Sequence, residues 1–248
     1  MKTMKKTIAC IIIAAMVLSF IIPPAEVYAA EPDAIQLQWQ RTYSRGVYGD
    51  LRSDSIPGAD SRGNVYIVDT DGFVSCIQPD GEILYRVNIY QSGNYEGTGA
   101  SAPVADKNNN IFIPSGDGSI YSFSSDGDLR WKYKMDSGVS VRGTSVLSPD
   151  EKTVYSADNG GRVYALNADN GELLWRTYTR LGNGCSSPVL SYDGSMLYIA
   201  STNKIAAFDT AVAAGDNNRM KWLESAVGEG ENDFNFYIMS SGSVDFEK

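Results

Sequence analysis

Arg162-Val163-Tyr164-Ala165-Leu166-Asn167-Ala168-Asp169-Asn170-Gly171-Glu172-Leu173-Leu174-Trp175-Arg176 reads as two strands joined by a tight turn. Arg162-Val163-Tyr164-Ala165-Leu166, before the turn, reads as an alternating strand. That is the period of a half-buried strand, not of a helix. The Asp169-Asn170-Gly171 step between them is turn chemistry, because Asn and Gly tolerate left-handed backbone.

The same unit recurs in both directions. Val65-Tyr66-Ile67 and Ile111-Phe112-Ile113 are 46 residues apart, and the offset carries Asp71-Gly72 onto Asp117-Gly118, Asp80-Gly81 onto Asp126-Gly127, and Tyr85 onto Trp131. Val154-Tyr155 follows at an offset of 43, with Gly161 and Trp175; Leu197-Tyr198-Ile199 follows at a further 43, with Trp222 after an Ala/Gly/Asn insertion. Each copy begins on a short strand of the type Ala102-Pro103-Val104 or Ser187-Pro188-Val189. A polar turn, such as Asp60-Ser61-Arg62-Gly63-Asn64, precedes the Val-Tyr-Ile strand. A third and a fourth strand come after it. Four strands in ~45 residues, repeated, is the period of a propeller blade. One such sheet cannot cover both its faces, so each repeat needs like neighbours.

Ala165-Leu166-Asn167-Ala168-Asp169-Asn170-Gly171-Glu172-Leu173-Leu174-Trp175 resembles the tryptophan-docking motif of the PQQ-like, quinoprotein-type propeller repeat family, Ala-x-Asp-x-x-Thr-Gly-x-x-x-Trp. Asn167 and Asn170 depart from that motif. The second repeat keeps Gly127 and Trp131 with one residue fewer in its turn, and the first has Tyr85 in place of Trp. The resemblance implies that Trp39, Tyr85, Trp131, Trp175 and Trp222 dock between blades as structural residues, with Trp131, Trp175 and Trp222 in the core. A large ring recurring at one place in each sheet is a natural wedge, and its indole N–H needs an acceptor. Cys76 falls at the position of Ser122, Ala165 and Ala207, which reads as a small packing site; Cys185 belongs to a different strand class, so a disulfide is not expected.

The expected fold is therefore all-β: a propeller of four-stranded antiparallel blades at about 54–90, 100–135, 143–178 and 185–223. Gln36-Leu37-Gln38-Trp39-Gln40-Arg41-Thr42-Tyr43 resembles Leu173-Leu174-Trp175-Arg176-Thr177-Tyr178 and reads as the outer strand of a further blade, at about 35–43. Phe234 to Met239 gives one apolar strand, and residues 240–248 read as the start of a fifth blade through Ser241-Gly242-Ser243-Val244. About four complete blades, as an open part of a ring of roughly six to eight, is the expectation; a short four-bladed ring is the alternative.

Residues 1–29 read as a signal peptide. Lys2, Lys5 and Lys6 precede an apolar run from Thr7 to Ile22, Pro23-Pro24 break it, and Val27-Tyr28-Ala29 supplies an A-x-A-like site. The run is short for a membrane span of ~20 residues. Cleavage after Ala29 makes residues 30–248 the mature chain, with no stable membrane span and a secreted or cell-envelope location. The full chain carries a net charge of −9; without residues 1–29 it has 18 basic and 29 acidic residues, net −11. An acidic surface repels phosphate backbones, so nucleic acid is not an expected partner.

The chain contains no histidine. That removes Ser-His-Asp and Cys-His nucleophile arrangements and His-based zinc sites. The resemblance brings quinone-dependent dehydrogenases into view, and their cofactor sites imply a vicinal Cys pair, a calcium ion held by Glu and Asn, and an Asp base. No Cys-Cys step occurs. Asp106-Lys107-Asn108-Asn109-Asn110 looks like the opening of a calcium loop but lacks the Gly at its sixth and the Glu at its twelfth position. No catalytic residue, cofactor or metal is expected. The expected role is a non-catalytic scaffold that binds an unidentified protein or cell-envelope component, as the resemblance to the propeller lipoprotein of outer-membrane barrel assembly implies. A piece of a dehydrogenase and a cell-wall or polysaccharide-associated domain are the alternatives. Propellers present the loops before their first strands, together with the turns between strands two and three, on one face. Tyr95, Arg142 and Asn183 on such loops are the candidate ligand contacts.

Overall fold

The computed structural model describes residues 56–69, 71–89, 101–136, 138–141, 143–181, 185–201, 204–211 and 219–225, with Gln38 and Gln40. The signal segment, the strand expected at 35–43 apart from Gln38 and Gln40, residues 234–248, and Trp39, Tyr95, Arg142 and Asn183 lie outside the described residues. The chain divides into two units, Met1–Gln40 and Arg41–Lys248. Every named element is a strand of the second unit, and the strands form four separate four-stranded antiparallel sheets.

Sheet one comprises β1 (Gly58–Ala59), β2 (Val65–Val68), β3 (Phe73–Ile77) and β4 (Ile83–Asn88). Sheet two comprises β5 (Val104–Ala105), β6 (Ile111–Pro114), β7 (Ser119–Phe123) and β8 (Leu129–Lys134). Sheet three comprises β9 (Val146–Leu147), β10 (Thr153–Ala157), β11 (Arg162–Asn167) and β12 (Leu173–Tyr178). Sheet four comprises β13 (Val189–Leu190), β14 (Met196–Ser201), β15 (Lys204–Asp209) and β16 (Met220–Ser225). Each is a meander in chain order. These are the four blades, and the fold is an all-β array of propeller blades.

The core lies between the sheets. Tyr66, Val74 and Cys76 of sheet one meet Ile111, Ile113, Tyr121 and Phe123 of sheet two. Phe112, Ile120 and Trp131 of sheet two meet Val154, Tyr164 and Leu166 of sheet three. Tyr155, Val163, Ala165 and Trp175 of sheet three meet Leu197, Ile199, Ala206 and Phe208 of sheet four. Successive residues of one strand thus serve opposite neighbours, as the two-residue period requires. The sequence reading expected half-buried strands. The middle strands β6 and β7 are instead buried at every position, because each lies between two sheets. Among the described residues, no buried cluster joins sheet four to sheet one.

One irregularity recurs. The register between the third and fourth strands shifts at Cys76/Ile77, Ser122/Phe123, Ala165/Leu166 and Ala207/Phe208. Beside each shift a small residue pairs with the aromatic: Cys76 with Tyr85, Ser122 with Trp131, Ala165 with Trp175, Ala207 with Trp222. A bulge bends a strand and increases its twist, so the four outer strands leave their sheets alike. Trp131 and Trp175 are 8% and 9% exposed. Trp222, expected in the core, is 39% exposed. It shares its sheet face with Ala207 and Tyr198, while Ala206 and Phe208 face sheet three. No further sheet covers that face among the described residues.

Candidate functional site

In a meander, the turns between strands one and two and between three and four fall at one end. The two-to-three turns and the links to the next sheet fall at the other. Tyr95, Arg142 and Asn183 belong to those links by sequence. The described residues of that end show how its charges are held. Asp69 lies 2.9 Å from Arg86 Nη2, and the Arg86 guanidinium sits 4.2 Å from the centroid of the Phe73 ring. Asp117 accepts hydrogen bonds from Tyr121 Oη at 2.7 Å and from the Ser119 amide at 2.9 Å, with Lys132 Nζ at 3.4 Å. Lys134 donates to the Asp117 carbonyl. Burial works to raise the Asp117 carboxyl, but Tyr121, Lys132, Ser115 and Lys134 together hold it below the ordinary carboxylate value. Asp158, fully buried, accepts from the Arg162 amide at 2.9 Å and from Tyr164 Oη at 3.1 Å. Arg176 of sheet three pairs with Asp136, which follows sheet two. Asn159 spans the same junction, donating its amide to Ser140 O at 3.1 Å and its Nδ2 to Ser140 Oγ at 2.9 Å. These groups tie turns to strands and blades to one another.

Of the aromatics expected to dock, Tyr85, Trp131 and Trp175 pack in the clusters between described sheets. Tyr85 of sheet one lies against Gly127 of sheet two, and Trp131 of sheet two lies against Gly171 of sheet three. Both glycines are left-handed, with φ of +89° and +74°. Trp131 donates Nε1–H to Ala168 O at 3.0 Å. Arg130 beside it reaches Ala168 O and Asp169 O, each at 3.3 Å. The third junction differs. Arg219, only 2% exposed, places its guanidinium 3.8 Å from the Trp175 ring centroid and donates Nη1–H to Asp209 O at 2.8 Å and Thr210 O at 3.1 Å. A guanidinium over an aromatic face is favourable when both are withdrawn from water.

In the turn that looked like a calcium loop, the Asp106 carboxylate is taken up by the turn's own backbone and side-chain donors. Asp106 accepts from the Asn108 amide at 2.9 Å and from the Asn110 amide and Nδ2, both at 2.8 Å. Among the described residues no group of three or more Cys, Asp or Glu is arranged to hold a metal ion. Cys76 and Cys185 are free and buried. Burial pushes the Cys185 thiol up to about 11 and raises that of Cys76, so neither forms a thiolate readily near neutral pH.

Sequence reasoning missed Arg219 and the Asp–Tyr pairs. For Arg219 the signal was a missing one: blade four has no turn glycine matching Gly127 and Gly171, and its inserted turn ends on an arginine. For the pairs the signal was present, since Asp60 with Tyr66 and Asp158 with Tyr164 share a six-residue spacing.

Comparison with known proteins agrees with this geometry. The family described as Outer membrane protein assembly factor BamB matches residues 24–233. No curated protein sequence matches the chain. Among solved structures, BamB from Moraxella catarrhalis is similar in fold, with a TM-score of 0.54 and 19% identity, over 69% of this chain. The match spans 49% of that protein, about half its length. With a family match over most of its length and blades of the kind that family builds, the chain belongs to the PQQ-like propeller family of outer membrane protein assembly factor BamB.

Proposed function

We propose that this chain is exported through a signal segment at residues 1–29 and acts without catalysis, as a scaffold that binds a protein in the cell envelope. The observation that carries the reading is the family match over residues 24–233 to an outer membrane protein assembly factor. The chemistry described above is in keeping with it: the described carboxylates and docking aromatics hold turns and blades together, and the thiols are buried. The contact residues in this reading are Tyr95, Arg142 and Asn183, on loops that a stack of rigid sheets would hold at one end.

The test is retention of envelope proteins on immobilised mature chain, compared with a Tyr95→Ala/Arg142→Ala/Asn183→Ala variant. The expected result is a discrete protein retained by the parent and at least tenfold less by the variant. Equal retention would move the binding site elsewhere. Dye reduction with alcohols or sugars after incubation with PQQ and calcium would replace the scaffold by a dehydrogenase. Export is checked separately, since the secreted protein should begin at Ala30.

A further inference from the structure

Three described residues other than glycine have left-handed backbone: Asn109 (φ 62°), Glu151 (φ 59°) and Arg180 (φ 59°). Left-handed backbone is unfavourable for a residue with a Cβ, least so for Asn, and it persists where surrounding contacts hold it. Asn109 and Glu151 occupy the same place in their blades. Each closes the turn between strands one and two, donating its amide to Asp106 O at 2.9 Å and to Ser148 O at 2.8 Å. The equivalent residues in blades one and four are Gly63 and Gly194, whose amides close the same turn onto Asp60 O and Ser191 O. The turn itself is therefore made with glycine, and blades two and three depart from it.

Their side chains give the reason. Asn109 Oδ1 accepts from Ser61 of blade one, from the amide at 3.2 Å and from Oγ at 2.8 Å. Glu151 Oε2 accepts from the Lys107 amide of blade two at 3.0 Å. Ser61 and Lys107 are the second residues of the preceding turns, so both contacts join equivalent positions across successive junctions. At the next junction the equivalent pair is Pro149 and Gly194, and a Cβ on Gly194 would lie 2.5 Å from Pro149 Cδ. There the turns approach so closely that only glycine fits.

We infer that Asn109 and Glu151 are latches between blades: each keeps a strained backbone so that its side chain can fasten its blade to the turn before it. Three junctions between similar repeats thereby receive three different fastenings at one end: an amide on a serine, a carboxylate on a backbone N–H, and a glycine under a proline. Repeat proteins are prone to misassembly between like units. Junctions that differ in chemistry favour one neighbour for each blade.

The sign of a glycine substitution separates a latch from an ordinary turn residue. Relieving left-handed strain alone stabilises, or leaves stability unchanged. Arg180→Gly supplies that comparison, because Arg180 lies outside these turns. Asn109→Gly and Glu151→Gly should instead lower the thermal midpoint of the full chain. The Ser61 amide in Asn109→Gly, and the Lys107 amide in Glu151→Gly, should exchange about fivefold faster or more, the factor one hydrogen bond corresponds to. The Asn64 amide, bonded to Asp60 within its own turn, should keep its rate. Asn109→Asp and Glu151→Gln, which keep the acceptor oxygen, should retain slow exchange. Should a glycine variant fail to fold while Arg180→Gly folds, the latch is supported. Midpoints equal to or above the parent's with unchanged exchange would overturn it.

Discussion

A side chain on Gly171 would collide with the ring of Trp131, since a Cβ there would lie 2.7 Å from both Cδ2 and Cε3. The indole can lie flat on the next blade only because that backbone is bare, and it is bare at a φ of +74° that favours glycine. Gly171→Ala should therefore cost both the left-handed penalty and the overpacking of the junction, about 2–4 kcal/mol together. Gly138 is also left-handed, at +61°, with nothing near its Cβ position. Gly138→Ala should show only the backbone part, roughly 1–2 kcal/mol. Urea unfolding of the two variants checks the difference; equal costs would remove the close approach from the account.

At the third junction a buried cation replaces the glycine. Arg219→Met keeps an unbranched stem but loses the guanidinium stacking on Trp175 and the bonds to Asp209 O and Thr210 O. A loss of about 1–3 kcal/mol is expected. In a double-mutant cycle with Trp175→Leu, the two losses should fall short of additive by about 0.5–2 kcal/mol. Strict additivity would mean that the two residues do not act on one another.

Acid should loosen the second blade through Asp117. Its carboxyl is held below the ordinary 3.8 in the folded chain, so the unfolded chain binds the proton first. Its contribution is complete above the unfolded value and is lost as pH falls through the folded one. Stability should therefore rise with pH across the acid range. Asp117→Asn should flatten part of that rise while leaving the stability at pH 7 below the parent's. Denaturant midpoints measured from pH 3 to pH 7 give the comparison, and an unchanged slope would contradict it.

In residues 30–248, which lack Cys10, the thiols of Cys76 and Cys185 should be silent until the chain opens. Both are buried, and burial raises each of them. At pH 8 a thiol reagent should label native residues 30–248 on the order of a hundredfold more slowly than the same chain unfolded in urea. Rapid labelling of Cys76, which pairs with Tyr85 in the register of sheet one, would mean that the first junction is open in solution.

The sheets were legible because their determinants are local. Alternation marked the strands, Asp-Gly and Asn-Gly steps marked the turns, and a 43- to 46-residue offset marked the blades. The small partner of each aromatic was legible as well, since Cys76, Ser122, Ala165 and Ala207 share one position in the repeat. Besides Arg219, two things were hidden. Trp222 ends its repeat as Trp175 does, after an inserted turn without the matching glycine, yet its exposure depends on whether a neighbouring sheet covers it, which no local pattern encodes. Asn109 and Glu151 look like ordinary polar turn residues, because their partners Ser61 and Lys107 lie more than 40 residues away. The candidate contacts Tyr95, Arg142 and Asn183 rest on their place in the repeat alone, since a loop's sequence carries little of the periodicity that places a strand.

The first three blades are each wedged onto the next by the aromatic of the outer strand: Tyr85, Trp131 and Trp175. Hydrogen exchange of the indole N–H groups is the decisive measurement, because Trp131 and Trp222 occupy equivalent positions and, among the described residues, a following sheet covers only Trp131. Trp131, bonded to Ala168 O of the next blade, should exchange at least a hundredfold more slowly than Trp222. Equal exchange at the two indoles would contradict the wedge.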